Sequence, residues 1–296
     1  MNYQFISSQK AEFPVNILCR ICKVPRSSYY DWVNSADQRQ KKLAERDASK
    51  ALVRKCYEKS RCNYGAPKIT MALRAQGMHI SKKKVARLMV ELGIRGACAR
   101  KKVRTTRADK NAIYSPDLVN RNFHADNVDQ LLVSDLTYIP TKEGWLFLVC
   151  ILDVCSRRII GWSMARHMRV ELFIDALRQM EITRNQSIFE GTIFHDDKGS
   201  QYSAQGFREA LRLMGMTQSM GSVGDSYDNA AAENLWSLLK RESNYRENFE
   251  TIDEARAEIF DWINWYNSER IHSSIDYLSP IQFEEQLARA TAKKVA

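Results

Sequence analysis

Apolar residues fall into three regimes along this chain. From residue 13 to 94 they recur at helical spacing, from 131 to 220 they gather in short continuous runs, and from 251 helical spacing returns. In the first regime Val15, Leu18, Ile21 and Cys22 give one helix an apolar face, and the pattern breaks near Lys23-Val24-Pro25. Ser27 and Ser28 can start a second helix with Tyr29, Tyr30 and Trp32. Residues 13–33 thus predict a small helix-turn-helix, with a plain helical hairpin as the alternative. Ala36 to Lys50 is charged and polar, either a connecting helix or a linker. A second unit follows from about Ala48 to Ile94. Ala51, Leu52, Val53 and Tyr57 line its first helix, and Pro67 opens the next, which carries Ile69, Met71, Ala72 and Leu73 and ends at Gly77. Ser81 caps a third helix with Val85, Leu88, Met89 and Leu92 inward and Lys82, Lys83, Lys84 and Arg87 outward.

The second regime predicts a sheet. Leu131 to Ile139 is an apolar run interrupted by Asp135, Gly144 marks a turn, and Trp145 to Asp153 is a continuous apolar strand. Cys155 to Arg158 makes the next turn and Ile159 to Met164 a third strand. A helix over Val170 to Met180, a strand over Thr192 to Phe194, a helical pattern from Ser203 and a short strand over Met216 to Met220 complete the series. A Gly/Ser-rich loop, Gly221 to Tyr227, then leads to Asp228, a cap for the helix Asn229 to Lys240. On that helix Glu233, Trp236, Ser237 and Lys240 share one face, and Ala231, Leu235, Leu238 and Leu239 largely form another; Trp236 also suits the core. The tail, Thr251 to Gln286, reads as helical and buries Ile259, Phe260, Trp262, Ile263, Trp265 and Tyr266.

Charge changes this picture. The first 110 residues hold 26 Lys and Arg against 8 Asp and Glu, whereas the remainder holds 19 against 27. Any charge run can be a solvated face, but an excess of this size over so short a stretch argues for a polyanion, and nucleic acid fits best. Arg95 to Lys110, which includes Arg100, Lys101 and Lys102, has little apolar content and reads as a linker that tracks phosphates. No apolar run is long enough to span a membrane, and Met1 to Glu12 lacks the pattern of a signal peptide. Seven scattered cysteines suit reduced thiols in a cytosol. Cys19 and Cys22 have the spacing of half a zinc site but no second pair of ligands nearby.

The candidate chemistry is acidic. Acids are 35 of 296 residues, so a cap or a solvated face is the default role for any one of them. Position alters that default. Asp135 interrupts an apolar strand, where a carboxylate is costly to bury unless paired or bound to a cation. Asp196 and Asp197 stand at a strand-to-helix corner, where ligands of α/β sheets gather. A third acid, Glu233, on a helix able to pack beside both strand ends would complete a carboxylate cage for a hard divalent ion.

The blocks Val133-Ser-Asp-Leu-Thr-Tyr-Ile139, His195-Asp-Asp-Lys-Gly-Ser-Gln-Tyr202 and Asp228-Asn-Ala-Ala-Ala-Glu-Asn234 resemble the catalytic blocks of DDE transposases and retroviral-type integrases. The nearest resemblance is to the insertion-sequence-three family. The 35 residues between Asp197 and Glu233 match that family's spacing, and Lys240, seven residues beyond Glu233, repeats another of its features. The resemblance covers nearly the whole chain. It departs at Asp196, since the family usually has one Asp after the His and an intervening residue, and at Lys198, where Arg is commoner. Alignment on Gly199 to Tyr202 selects Asp197 as the catalytic residue, with Asp196 as the alternative.

This resemblance implies an α/β fold: a ribonuclease H-like core, a five-stranded mixed sheet with helices, preceded by all-α helix-turn-helix units. That fold sets the first and fourth strands side by side. The implied domains are an N-terminal helix-turn-helix at 1–35, a second DNA-binding unit at 36–95, a basic linker at 96–127, the catalytic core at 128–245 and a helical extension at 246–296. The implied activity is DNA cleavage and strand transfer at the ends of an insertion sequence. Asp135, Asp197 and Glu233 would hold two Mg2+ ions, for which Mn2+ can substitute. Lys240 would position the terminal DNA, and Lys82, Lys83, Lys84 and Arg87 would form a recognition face. Tyr266 to His272, with Tyr277 and Pro280, resembles the family's C-terminal block, read as structural support with some DNA contact. The implied partners are the element's terminal inverted repeats, target DNA, further copies of the chain and the product of an upstream reading frame, all in a bacterial cytoplasm; no membrane is involved. Two rivals stand beside this reading: a non-catalytic DNA-binding regulator, against which an intact acid triad argues, and a ribonuclease H-fold nuclease that does not join strands.

Overall fold

The computed structural model describes residues 2–97, 115–197, 199–221, 230–243 and 249–295, and the side chains of 230–233, 294 and 295 lie outside that description. Helices α1 (Asn2–Gln9), α2 (Val15–Ile21) and α3 (Arg26–Asn34) close around Ile6, Leu18, Cys19 and Tyr29. The sequence pattern does not announce α1, because Ile6 is its one buried residue. Two details of the next helices differ from expectation. Ile21 is 67% exposed, since α2 turns Leu18 and Cys19 inward instead. Pro25, with its fixed φ near −59°, precedes α3 directly, so neither Ser27 nor Ser28 caps it.

The polar stretch after residue 35 is helix rather than linker: α4 (Ala36–Lys59) runs unbroken for 24 residues. It buries Val53 against α5 (Ala66–Ala75) and α6 (Lys82–Glu91), while Ala51 and Leu52 remain at the surface. Ser81 caps α6 by accepting from the Lys84 N–H, and Val85, Leu88 and Met89 form its buried stripe. Glu91 at the end of α6 accepts Arg46 and Lys50 of α4 at 2.5 and 3.2 Å.

Five strands form one sheet in the order β3-β2-β1-β4-β5. They are β1 (Leu131–Thr141), β2 (Gly144–Asp153), β3 (Ile159–Ala165), β4 (Ile193–Asp196) and β5 (Thr217–Met220). β1, β2 and β3 are antiparallel neighbours, and β4 and β5 add in parallel. Gly144, at φ 119°, supplies the left-handed turn of the β1–β2 hairpin. Alternation along the strands sorts side chains to two faces. Leu131, Val133, Leu148, Cys150 and Leu152 pack with Leu235, Leu239 and Trp262 on one face; Leu132, Val149, Ile151 and Phe194 pack with Phe173, Leu177 and Phe207 on the other.

The first face is covered by α9 (Ala230–Glu242) and α10 (Ile252–Ser268), the second by α7 (Val170–Arg184) and α8 (Gln205–Leu213). Gly161 permits the close approach of α7 to β3, because a Cβ there would lie 2.4 Å from the Ala176 carbonyl oxygen. α7 runs four residues beyond its expected end, to an Asn185 cap in the left-handed conformation. A 3-10 turn, Ser273–Ile275, and α11 (Pro280–Val295) follow α10. Phe260 on α10 is 46% exposed, contrary to the expected burial, and meets Trp162 edge-on.

The helical unit containing α4–α6 docks on this C-terminal layer. Arg61 pairs with Glu258, the Trp265 indole donates to the Lys59 carbonyl at 3.3 Å, and the Ile271 N–H donates to the Tyr64 hydroxyl at 2.8 Å. Val53, Ile69 and Leu73 join the same apolar cluster as Trp262 and Tyr266.

Candidate active site

Strand pairing sets side by side two segments that lead to candidate acids distant in sequence. β1 and β4 run parallel with Leu131 opposite Ile193 and Val133 opposite His195. β4 ends at Asp196, and Asp197 follows directly on that strand end. Alternation along β1 puts Asp135 with Val133 on the face covered by α9. Asp196 falls on the face of Phe194.

The environments of the three carboxylates differ accordingly. Asp135 is half-buried; its Oδ1 accepts the Leu136 N–H at 2.7 Å and its Oδ2 accepts the Trp236 indole N–H at 2.8 Å. Asp197, also half-buried, accepts the Gly199 N–H at 3.0 Å. Burial raises its pKa above the ordinary carboxylate value, and the Gly199 bond opposes that shift. Asp196 is fully buried, accepts the Gln218 amide at 2.9 Å through Oδ2, and has no partner at Oδ1. Burial drives its pKa well up, the Gln218 bond opposes this, and the neighbouring Asp197 charge adds to it. Asp196 is therefore held toward its neutral form.

The floor beneath these acids is rigid. Tyr202 is buried, shares a 2.9 Å hydrogen bond with Ser134, and meets Phe173 edge-on at 4.7 Å. Burial raises its pKa, and the Asp197 and Asp135 charges raise it further, so it remains a neutral phenol within the layer of Phe173 and Phe207. His195 is fixed by a 2.9 Å bond from Nδ1 to the Ser219 hydroxyl.

α9 supplies the third wall. The backbone of Glu233 lies in its first turn, and its side chain falls outside the described residues. Trp236 and Lys240 follow at helical spacing. Trp236 is 7% exposed and packed in the core, yet its indole reaches Asp135, so it serves packing and the site together. Lys240 is exposed, with Nζ 5.7 Å from the centre of the Tyr138 ring, three positions beyond Asp135 on β1. Tyr138 meets Trp145 edge-on at 5.1 Å, and both rings are about half exposed. Sequence reasoning missed this aromatic pair and Gln218. The aromatic signal was the presence of Tyr138 and Trp145 on strands joined by a tight hairpin.

Lys82, Lys83, Lys84 and Arg87 are exposed on α6, away from these acids in the chain and in a different unit. Arg100, Lys101 and Lys102 lie outside the described residues, as do the loop at 222–227 and the expected Asp228 cap. Among the described residues no group of three or more His, Cys, Asp or Glu side chains is placed to hold a metal ion, and the Glu233 side chain is not among them. The two carboxylates that are described offer oxygen donors alone, the set that suits Mg2+ or Mn2+ over softer metals. Asp135, Asp197 and the Glu233 position thus fit such an ion in donor type.

The integrase core domain family matches residues 110–226 and, in a second description, 214–280; the HTH-like domain family matches residues 43–102. The HTLV-2 integrase catalytic core domain in complex with magnesium is similar at a TM-score of 0.41 and 16% identity, over 54% of this chain and 99% of that one. The transposase for insertion sequence element IS629 of Shigella sonnei is 33% identical over 93% of each chain. Transposase InsF for insertion sequence IS3A of Escherichia coli K12 is 34% identical over 97% of this chain and 99% of its own. A chain alike to these transposases along nearly its entire length belongs to the IS3 family of insertion-sequence transposases.

Proposed function

We propose that Asp135, Asp197 and Glu233 are the carboxylates with which this transposase cleaves and joins DNA. The observation that supports the reading is the parallel pairing of β4 with β1, which sets the strand that Asp197 follows beside the strand that carries Asp135. A pair of bound Mg2+ ions would activate the attacking oxygen and stabilise the leaving one. The chain's own residues do the rest. The Trp236 indole and the Leu136 N–H hold both oxygens of Asp135 in fixed directions, and the Gly199 N–H does the same for one oxygen of Asp197. Lys240, on the same side of α9 as Trp236, would bind a phosphate of the terminal DNA. No covalent bond between protein and DNA is required: water frees a 3′ hydroxyl, and that hydroxyl attacks a second phosphodiester.

The division of labour follows. Residues 1–35 and 36–95 would read the terminal inverted repeats, with Lys82, Lys83, Lys84 and Arg87 facing DNA and Arg100, Lys101 and Lys102 in the linker 96–127 following phosphates. Residues 128–245 would carry the chemistry and 246–296 support it. Two ends must be held at once, which calls for several copies of the chain and for the product of an upstream reading frame where that is fused or recruited. The work is done on DNA in the cytoplasm.

Strand joining in magnesium with a labelled element end tests the assignment. Wild type is expected to give joined product and Glu233→Gln none; equal joining by both would sink it. A second variant probes Asp135. Trp236→Phe keeps most of the buried surface but removes the bond to Oδ2, and is expected to lower the joining rate about 10- to 100-fold, the range for groups that orient metal ligands. The magnesium concentration for half-maximal rate should rise with it. An unchanged magnesium dependence would show that Trp236 only fills space.

A further inference from the structure

A cavity of about 390 Å³ opens on the side of α9 away from Trp236 and Lys240. α9 presents three faces: Trp236 and Lys240 toward Asp135, Leu235 and Leu239 toward the sheet, and Asn234, Leu238 and Arg241 toward this cavity. The remaining walls come from distant parts of the chain. Lys68 arrives on α5, Arg157 on the β2–β3 turn, and Arg270 and His272 on the segment after α10.

Among the described residues that line the cavity or pair with its lining, cations outnumber anions. Arg270, 4% exposed, donates to both oxygens of Glu242 at 2.6 and 2.8 Å, and Arg241 lies 3.6 Å from the same carboxylate. Glu242 thus serves two arginines. Lys68 lies 4.9 Å over the Tyr64 ring, and neither Lys68 nor Arg157 has an ion-pair partner among the described residues. Burial first, and then the charge of Arg270, push the Lys68 ammonium down to about 7. Burial and the charges of Arg270, Lys68 and Arg157 push His272 down to about 2, so its ring stays neutral and accepts a 3.1 Å hydrogen bond from Arg270. Partly buried cations that lower one another's pKa would each be stabilised by an anion placed among them. The rim has Asn234, Ser273 and Ser274 exposed, so the cavity is open to a ligand that continues into solvent.

We propose that this cavity binds a phosphate group, carried on the backbone of duplex DNA, and so fastens the helix-turn-helix-like unit to the catalytic core. Guanidinium and ammonium donors converging from several directions match the oxygens of a phosphate. A backbone source fits because Lys68 belongs to the DNA-binding unit and the other cations to the core, so one phosphodiester would bridge both. The inference rests on the chain acting on DNA, and it adds a contact remote from Asp135 and Asp197.

The test compares full-length wild type with Lys68→Gln, Arg157→Asn and the double variant. Asn tolerates the left-handed backbone at position 157, where φ is 61°. Anisotropy of a labelled duplex of arbitrary sequence, titrated across salt, reads phosphate contacts. The double variant is expected to bind about tenfold more weakly at low salt, with a log–log salt slope shallower by about one, and Lys68→Arg to restore both. Thermal midpoints in chloride, equal among all the proteins, establish that the fold is kept; a variant that fails this leaves the other single variant to decide. Inorganic phosphate at matched ionic strength separates the sources. If it raises the wild-type midpoint but not the variant's, while the salt slopes coincide, the cavity takes a free anion and the DNA assignment falls. Unchanged slopes with no effect of phosphate overturn the site altogether. Failure of the acid-triad reading would look different: strand joining would survive Glu233→Gln whatever these slopes do.

Discussion

Asp197→Asn is expected to lower strand joining by about 10³-fold or more, while Asp196→Asn leaves it within about threefold of wild type, a difference of under 1 kcal/mol. The two carboxylates are adjacent in sequence and opposite in role. Asp197 directly follows β4, the parallel neighbour of the strand that carries Asp135, and on the proposed assignment losing its charge removes a metal ligand. Lewis-acid stabilisation of phosphoryl transfer is worth several kcal/mol, and about 4 kcal/mol corresponds to three decades of rate. Asp196 points into the opposite layer, fully buried, with Gln218 donating to it. Since burial already holds it toward the neutral acid, an amide of the same shape replaces it at little cost. Duplex binding should be unaffected in both variants, which separates lost chemistry from lost DNA contact. Loss of joining in Asp196→Asn with joining retained in Asp197→Asn would reverse the assignment.

The largest effect on stability is expected from Arg184→Met. Arg184, at the end of α7 with its side chain 9% exposed, reaches Asp129 at 2.7 Å, Glu284 at 2.9 Å and Asp153 at 3.2 Å. Those partners belong to the approach to β1, to α11 and to the end of β2, so one guanidinium on α7 ties the ends of two interior strands to α11. Glu284 also pairs with Arg158 at 2.5 Å and would keep a cation. Asp153, with no exposure, would lose Arg184 and retain only the Ser156 and Asp129 backbone donors and the Ser156 hydroxyl. Breaking a buried pair by removing one partner costs about 3–5 kcal/mol, so the thermal midpoint should fall by roughly 10 °C.

The sign of the pH dependence follows from Asp129. Burial raises its pKa and the Arg184 charge opposes that rise, so the variant's Asp129 titrates higher still. A folded-state pKa above the unfolded one means stability is lost as pH rises from the unfolded value through the folded one. The gap between wild type and Arg184→Met should accordingly be widest near neutral pH and narrow as pH falls toward 4. A gap independent of pH would assign the loss to packing of the arginine stem instead.

Much of this molecule was legible in the sequence because its signals are local. Helix α6 was readable from the Ser81 cap and the Val85, Leu88 and Met89 stripe, and the strands from apolar runs broken by Gly144 and the turn at Cys155 to Arg158. The order of strands and the candidate acids were legible through the resemblance carried by three short blocks. Local periodicity failed where few residues are buried, as in α1, and where a polar helix such as α4 has almost no stripe to show.

What tertiary structure decided was every relation between distant residues. Strand pairing set β4 beside β1, and packing buried Asp196 completely with a hydrogen bond from Gln218 while leaving its neighbour Asp197 half-buried. The bond from Trp236 to Asp135 spans 101 positions, the Arg184–Glu284 pair 100, and the cavity behind α9 joins Lys68 with Arg270 from still further apart. Periodicity along a chain reports which side of an element is apolar; it carries no information about which partner that side meets. The sequence by itself thus determined most of the elements and named the candidate residues, and packing determined which side chains meet, because contact energies are realised only once strands pair and helices dock.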